Sequence, residues 1–188
     1  DTGFGEYIFV EETKYKVLTG VARLTKDGQS VSGDTFSMIN LPSGELLMAL
    51  SDGMGSGTSA FDDSKNVIEL LEQMSEAGFS QTSAIRLINS LYMSDQEFEN
   101  YATLDISLIN LYKGECSFLK NGAVGTYVLN QGKMYCIEGQ SLPMGVVSDA
   151  EPYIGKMSLY PGDYVIMMTD GVADMFSQER YNLSLIHI

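Results

Sequence analysis

The sequence has few positive charges and almost no histidine, cysteine or tryptophan. Among 188 residues there are 11 Lys and Arg against 25 Asp and Glu, with one His, two Cys and no Trp. The resulting net charge of -14 disfavours binding to nucleic acid or to an anionic membrane surface, because both are themselves negative. We therefore expect no nucleic-acid partner, and we expect cations or basic surfaces as ligands.

The scarcity of histidine and cysteine limits covalent catalysis. His187 stands next to the last residue, where a Ser-His-Asp or Cys-His arrangement is hard to assemble. Neither Cys116 nor Cys136 has a nearby downstream arginine, which a cysteine phosphatase needs to hold phosphate. The sequence therefore favours two reduced thiols in a cytosolic protein over a disulfide or a cysteine nucleophile.

Long hydrophobic runs are also missing. No apolar run approaches the roughly 18 residues of a membrane-spanning helix, and the N-terminus has no basic segment followed by an apolar one. Hydrophobic residues make up 44% of the chain, as is typical of a compact globular protein. We expect a single domain over residues 1–188, with 1–14 as a linker from an upstream regulatory region and 177–188 as an uncertain tail.

The apolar pattern predicts strands, then two helices, then strands again. Alternation with a period of two predicts strands at 15–25, 35–41 and 45–51, the last two forming a hairpin. The period becomes helical over 58–78, and Ser80 is predicted to cap a second helix that ends near Met93.

Three further strand pairs are predicted after the helices. Each pair surrounds a turn that contains glycine; the pairs are 103–112 with 115–121, 125–130 with 133–138, and 153–160 with 163–169. The expected arrangement is two antiparallel sheets packed face to face with helices outside.

Three aspartates stand at the ends of predicted strands. Asp34 comes just before a strand, whereas Asp52 and Asp170 each follow one and are each followed by glycine. Neighbouring strand ends can bring such carboxylates to one rim, where their repulsion costs free energy unless a cation is bound. Oxygen ligands without His or Cys select hard cations such as Mg²⁺ or Mn²⁺. A single Asp-Gly pair more often forms a turn, so the prediction depends on the three aspartates together.

The glycine-rich stretch SDGMGSG at 51–57 also has the composition of a phosphate-binding loop. A nucleotide-binding domain that uses Gly53, Gly55 and Gly57 is therefore an alternative. Two features disfavour it: Asp52 would repel a phosphate placed beside it unless a cation lay between them, and the strands before the loop form a hairpin rather than a βαβ unit.

Five motifs in order carry a family resemblance: VSGDTFSM, ALSDGMGSG, TLDISLINL, SLPMGVV and GDYVIMMTDGV. Over about residues 17–172 the chain resembles the phosphatase domain of the stage II sporulation protein E family, which belongs to the metal-dependent serine/threonine phosphatases of the PPM type. The resemblance implies an α+β fold, an α/β/β/α sandwich of two antiparallel sheets flanked by helices.

The resemblance also implies a site with two Mn²⁺ or Mg²⁺ ions. Asp52 would bridge both ions, Asp34 and the Gly53 carbonyl would serve one, and Asp170 would serve the other. Asp34, Asp52 and Asp170 are then the catalytic set. Water activated by the two cations would attack phosphoserine or phosphothreonine directly, without a covalent intermediate.

The substrate and the cellular setting are likewise implied by the resemblance alone. The substrate would be a small phosphorylated sporulation regulator, the anti-anti-sigma factor, whose dephosphorylation releases a sigma factor. The chain would be a cytoplasmic domain of a membrane-anchored parent protein. The helices at 58–93 are a candidate homodimer surface. Because the loop with Gly53 runs directly into these helices, two packings of them would switch the enzyme by moving the Gly53 carbonyl; the alternative is that the helices only cover a sheet.

One departure from the family pattern qualifies this expectation. The family supplies a further metal-binding aspartate from an acidic motif well beyond the TDG motif, and the stretch MFSQERYNLSLIHI has no matching residue, so the C-terminal part is expected to be truncated and activity weak or absent. A catalytically impaired phosphatase-like binding or regulatory domain is the alternative. Asp174 is interpreted as a solvated position, and Asp105 is expected to point away from the side of Leu104 and Ile106, packed at the core edge or solvated rather than acting near the metals.

Overall fold

The computed structural model describes residues 11–23, 32–54, 58–94, 101–148 and 151–178. In chain order its elements are β1 Asp34–Asn40, β2 Glu45–Asp52, α1 Thr58–Glu76, α2 Gln81–Ser94, β3 Leu104–Asn110, β4 Glu115–Asn121, β5 Thr126–Asn130, β6 Lys133–Ile137, β7 Tyr153–Ser158, β8 Tyr164–Ile166 and α3 Asp170–Gln178. The predicted linker and tail lie mostly outside the described residues, as do the glycine-loop residues 55–57.

The strands form two antiparallel sheets. One has five strands in the order β1-β2-β3-β4-β7, and the other has three in the order β6-β5-β8. Together with the helices they confirm the predicted fold class, a mixed α+β sandwich.

Two cores separate three layers. Helix α1 packs on β1, β2 and α2, and the core between this helix pair and the five-stranded sheet includes Leu47, Val67, Leu71, Ile85, Ile88, Leu104 and Ile106. A second core between the two sheets contains Leu46, Ile109, Cys116, Phe118 and Val128. Tyr164 and Ile166 of the three-stranded sheet are exposed. The described residues therefore account for three of the four predicted layers.

Both predicted helices are confirmed, with small differences in their faces. The Ser83 amide donates a hydrogen bond to Ser80 Oγ at 3.2 Å, so Ser80 caps α2 as expected. Leu91 of α2 is exposed, whereas Asn89 of the same helix is buried and donates to the Val147 carbonyl. No helix among the described residues is long and apolar enough to cross a membrane.

The predicted first strand, residues 15–25, is wrong over its described part. Residues 15–23 belong to neither sheet, and Leu18 is 100% exposed. Alternating apolar side chains favour a strand, but a strand also requires a neighbour that pairs with its backbone. The Tyr15 amide donates to the Leu111 carbonyl at 2.9 Å, and no ladder among the described residues continues from that bond.

The last predicted strand pair is also wrong, because the two strands do not pair with each other. β7 pairs with β4 in the five-stranded sheet, whereas β8 pairs with β5 in the three-stranded sheet. The turn at Pro161 and Gly162 therefore carries the chain from one sheet to the other. Asp163 fixes this crossing by accepting hydrogen bonds from Asn130 Nδ2 at 2.7 Å and the Gln131 amide at 2.8 Å.

Candidate metal centre

The β1–β2 hairpin places two of the predicted aspartates together. Asp34 and Asp52 are directly paired across the ladder. Residues opposite each other in an antiparallel pair share a face, and Asp52 has the same alternation as Leu46, which lies in the core between the sheets. Both carboxylates therefore lie on the inter-sheet face, at the rim where the strands end.

Thr103, the residue before β3, fixes the end of β2. The Asp52 amide donates to Thr103 Oγ1 at 3.1 Å, and the Thr103 amide donates back to the Asp52 carbonyl at 2.8 Å. Ser51 Oγ also donates to the Thr103 carbonyl at 2.7 Å. The backbone that carries Asp52 is thus held on both sides of the side chain.

Close packing explains the glycine after Asp52. A Cβ atom on Gly53 would lie 1.9 Å from the carbonyl oxygen of Ala60 in the first turn of α1, so no other residue fits without moving the helix. A Cβ atom on Gly33 would lie 3.6 Å from the Gly53 carbonyl oxygen and 3.9 Å from Asp52 Oδ1. These two oxygens therefore face the same small space beside Gly33.

The third aspartate arrives from the other sheet. Asp170 is the first residue of α3, where a carboxylate stabilises the positive end of the helix dipole. The preceding residue, Thr169, donates from Oγ1 to Asp34 Oδ2 at 3.1 Å. This bond ties the β8–α3 junction to β1 and brings Asp170 next to Asp52.

The electrostatics of Asp52 reflect this arrangement. Burial raises the pKa of the Asp52 carboxyl, and the negative charges of Asp34 and Asp170 and hydrogen bonds with both raise it further, to about 8. Three carboxylates are therefore close enough to interact strongly. A cation that neutralised them would compete with a proton at Asp52.

A cavity of about 80 Å³ opens beside Asp52 and Asp170. Its wall consists of residues from both sheets and from the loop after β4: Leu50, Asp52, Thr103, Asp105, Gly122, Ala123, Val124, Met168, Thr169 and Asp170. Asp34 does not line this cavity, but it accepts a hydrogen bond from Thr169, which does.

The residue types at this rim match those that bind a divalent metal, but they do not form a closed coordination shell. No group of three or more His, Cys, Asp or Glu side chains among the described residues is arranged tightly enough to hold an ion. The mutual interactions of Asp52, Asp34 and Asp170 nevertheless concentrate hard oxygen donors at one rim, with the Gly53 carbonyl beside Asp52. Such donors match Mg²⁺ or Mn²⁺.

Of the two environments expected for Asp105, packing at the core edge or solvation, the structure shows packing. Asp105 points away from the helix side, but it is 2% exposed and forms an ion pair with Lys120, whose Nζ lies 2.8 Å from Asp105 Oδ2. Burial raises the pKa of the Asp105 carboxyl, whereas Lys120 and Thr126 lower it. The side chain is therefore neither solvated nor remote, because it lines the same cavity as Asp52 and Asp170. Asp174 is exposed, as expected.

Sequence reasoning missed several residues around the site. Lys120 had a detectable signal, since it is a charged residue within the buried strand ECSFLKN, next to another strand that contains Asp105. For Thr169 the sequence offers no signal beyond its position before Asp170. Arg23 was also missed: its guanidinium donates to the carbonyls of Ser32 at 3.0 Å and Asp34 at 2.8 Å, which steadies the backbone at the start of β1.

Both described cysteines are free thiols, as predicted; Cys116 is buried and Cys136 is exposed. Neither cysteine lines the cavity. The cavity wall therefore offers carboxylates, threonine hydroxyls and backbone groups, and it has no thiol or imidazole to act as a nucleophile.

Known proteins are similar to this chain in sequence and in fold. Residues 42–184 match the family described as Stage II sporulation protein E (SpoIIE). The chain is 35% identical to Stage II sporulation protein E of Bacillus subtilis (strain 168) over 170 residues, which are 90% of this chain and 21% of that protein. The chain thus spans about a fifth of the length of this relative.

Two solved structures resemble the fold described above. One contains the PP2C phosphatase domain and a fragment of the regulatory domain of SpoIIE from B. subtilis, with a TM-score of 0.81, 34% identity, and coverage of 93% of this chain and 52% of that one. Another, RsbX in complex with magnesium, has a TM-score of 0.66, 26% identity, and coverage of 79% and 71%. The chain belongs to the stage II sporulation protein E family, and the part of the family that it matches is the PP2C-type phosphatase domain.

Proposed function

We propose that this chain is a metal-dependent protein serine/threonine phosphatase that hydrolyses phosphoserine by direct attack of water. The observation that carries the proposal is the meeting of three carboxylates at one rim: Asp34 and Asp52 are paired across the β1–β2 ladder, and Asp170 lines the same cavity as Asp52. Membership of a phosphatase-domain family supports the reaction class.

The chain's own groups divide the work at the site. Asp52, between Asp34 and Asp170, would contact two divalent ions, with Asp34 and the Gly53 carbonyl serving one and Asp170 the other. When bound, such ions supply charge neutralisation for the phosphoryl group and lower the pKa of water. Thr169 keeps Asp34 oriented through its 3.1 Å hydrogen bond, and Thr103 holds the Asp52 backbone.

Mg²⁺ and Mn²⁺ are both hard ions that match these oxygen donors, and a related structure, that of RsbX, contains magnesium. We propose two such ions in the active protein. No histidine, cysteine or serine nucleophile is required, since the attacking group is water.

The test is the release of inorganic phosphate from a phosphoserine peptide at increasing Mn²⁺ concentration. We expect weak turnover that depends on Mn²⁺ and is abolished in Asp52→Asn. Acid-quenched reactions with a ³²P-labelled peptide should leave no label on the protein. Mn²⁺ binding without hydrolysis would instead identify a phosphatase-like binding domain, and hydrolysis that survives chelation would contradict the proposal.

The proposed substrate is a phosphorylated anti-anti-sigma factor, on the strength of the family resemblance. A folded phosphoprotein offers contacts outside the cavity that a short peptide lacks, so the protein should be the better substrate. We expect a higher kcat/KM for the phosphorylated protein than for a peptide cut from it. Equal values would remove the support for this substrate.

We also propose that the domain faces the cytoplasm in a membrane-anchored parent protein and that it pairs with a second copy through α1 and α2. Leu87, Leu91 and Met93 of α2 are exposed, which supports an apolar contact there. Sedimentation should show a dimer that Leu87→Lys with Leu91→Lys dissociates. A monomer at all concentrations would contradict the pairing.

A further inference from the structure

Asp105, Lys120 and Thr126 form a buried cluster in and behind the wall of the site cavity. Lys120 Nζ lies 2.8 Å from Asp105 Oδ2, and the side chains are 0% and 2% exposed. Thr126 Oγ1 donates to the same carboxylate oxygen at 2.6 Å and accepts from Lys120 Nζ at 2.8 Å. Asp105 and Lys120 are paired across β3 and β4, and Thr126 begins β5, so the cluster joins the two sheets.

Lys120 also fixes part of the cavity wall. Its third hydrogen bond goes to the Val124 carbonyl at 2.7 Å, so all three ammonium hydrogens have acceptors. Val124 lines the cavity together with Gly122 and Ala123. The cluster therefore holds the loop that lines the cavity with Asp52 and Asp170.

One oxygen of the Asp105 carboxylate has no hydrogen-bond donor among the described residues. Oδ2 accepts both hydrogen bonds of the cluster, whereas Oδ1 is buried and accepts none from the described residues. A buried carboxylate oxygen without a donor is costly, and such an atom in a native protein calls for a partner. Asp105 lines the cavity that Asp52 and Asp170 also line, so this cavity is a space from which a donor could approach the carboxylate.

Hydrated divalent cations bring such donors. Mg²⁺ in particular keeps several waters when it binds to carboxylates, and their hydrogens point away from the ion toward acceptors. Carboxylates beyond the direct ligands commonly accept these hydrogen bonds and orient the site.

We propose that Asp105 is a positioning residue of the metal centre, whose Oδ1 accepts a hydrogen bond from the hydration shell of a divalent cation held by Asp52 and its neighbours. Lys120 and Thr126 hold the carboxylate in the orientation that this requires. The inference rests on the proposed function, because it takes Asp34, Asp52 and Asp170 as the metal-binding set. The competing explanation is that the cluster only fastens the two sheets together.

Asp105→Asn separates the two explanations. Lys120 and Thr126 need an acceptor, so the amide oxygen of Asn will take the place of Oδ2 and the amide NH₂ will take the place of Oδ1. The cluster keeps its hydrogen bonds, but the group toward the cavity changes from an acceptor to a donor. Ser107→Ala is the matched control, since Ser107 is buried on the same face of β3, interacts with the Cys116 thiol rather than with the Asp105 cluster, and does not line the cavity.

The measurement is calorimetric titration of the 188-residue chain with Mn²⁺, which needs no substrate. We expect Asp105→Asn to raise the Mn²⁺ dissociation constant roughly 10- to 100-fold, the usual range for residues that hold the direct ligands or waters of a metal site. Ser107→Ala should leave it within about 2-fold of the parent value. If both variants unfold at lower temperature and both keep the parent dissociation constant, the cluster is a fastener and the proposal is overturned.

A double variant guards against misfolding. Asp105→Leu with Lys120→Met replaces the buried ion pair by apolar side chains, a change that proteins often tolerate without loss of stability. It should fold and bind Mn²⁺ as weakly as Asp105→Asn; a folded double variant with the parent affinity would overturn the proposal. Asp52→Asn in the same titration identifies the source of a failure. If Asp52→Asn loses Mn²⁺ and Asp105→Asn does not, the positioning role alone fails, whereas an unaffected Asp52→Asn overturns the metal centre and the positioning role together.

Discussion

Asp34 and Asp52 face each other as the terminal pair of the β1–β2 ladder. The register that places Leu46 and Met48 toward the second sheet also places these two carboxylates on that side. A slip of one residue in either strand would send one of them to the helix side, because side chains alternate between the two faces. The position of the site is therefore fixed by the same pairing that builds the inter-sheet core.

Asp52→Asn should remove most Mn²⁺ affinity, by more than about 100-fold, because the residue between the other two carboxylates loses its charge toward both proposed ions. Glu69→Gln is the control: it removes one negative charge from an exposed pair with Lys65 on α1, far from the cavity lining. Calorimetry and phosphate release should both separate the two variants. Equal Mn²⁺ binding by both would show that overall charge, rather than the Asp52 site, attracts the ion.

Stability of the metal-free protein should depend on pH through Asp52. The folded state keeps a proton on this carboxyl up to a pKa of about 8, whereas the unfolded chain releases it near the ordinary value of 3.8. Between these values the folded state binds more protons, so this contribution to the free energy of unfolding is complete below about pH 4 and is lost as the pH rises through about 8. Urea unfolding in the presence of chelator should show this decline, and Asp52→Asn should flatten it. Parallel pH profiles for the two proteins would contradict the assignment.

The same proton competes with the metal. Because Mn²⁺ requires the ionised carboxylate, its affinity should rise as the pH increases toward about 8 and then level off. The check is the Mn²⁺ dissociation constant at pH 6, 7 and 8. An affinity independent of pH in this range would mean that Asp52 is not a ligand.

Much of the fold was predictable because local signals and tertiary packing agree. Helices α1 and α2 have a strong apolar period, α2 also has a serine cap, and the β1–β2 hairpin has a turn at Pro42 to Gly44 between alternating strands. The β7–β8 connection could not be predicted in the same way, since a Pro-Gly turn looks alike whether it closes a hairpin or changes sheets. Only long-range pairing with β4 and β5 distinguishes the two cases.

The meeting of the three aspartates was predictable because residue type and position at the ends of elements coincide. Asp34, Asp52 and Asp170 all stand at element ends, and the structure brings them together. For Asp105 the sequence left packing and solvation open, because its burial depends on Lys120, which is 15 residues away in sequence. A charge that is neutralised by a cross-strand partner becomes visible only once the register is known.

Gly53→Ala should weaken both the fold and the metal site. The new Cβ would lie 1.9 Å from the Ala60 carbonyl oxygen, so α1 or the strand end must move, and the Gly53 carbonyl moves with them. Gly171→Ala is the control beside the same site: its Cβ meets nothing within 4 Å, and alanine favours α3 by up to about 1 kcal/mol. We expect a lower unfolding temperature and weaker Mn²⁺ binding in Gly53→Ala only. A stable Gly53→Ala protein with unchanged Mn²⁺ affinity would argue against the backbone ligand.

Helix α1 is linked to the candidate metal centre by hydrogen bonds to the residues around Asp34. Ser64 of α1 donates to the Gly33 carbonyl at 2.6 Å and lies 2.8 Å from Thr35 Oγ1, so the helix holds the residues on either side of Asp34. Glu72 accepts a hydrogen bond from Ser37 further along the same pair of elements. If α1 transmits changes in its packing to the site, these contacts and the Gly53–Ala60 approach carry them.

Ser64→Ala should therefore raise the Mn²⁺ concentration needed for half-maximal activity by at least about 5-fold, the lower end of usual coupling between sites. Ser75→Ala is the matched control, because Ser75 is buried about three turns further along the same helix and its hydroxyl has no hydrogen-bond partner among the described residues. Val67 and Leu71 are unsuitable for this test, since both are fully buried and their substitution would damage the core. If Ser64→Ala and Ser75→Ala lower stability alike and leave the Mn²⁺ dependence unchanged, α1 only covers the sheet and does not regulate the site.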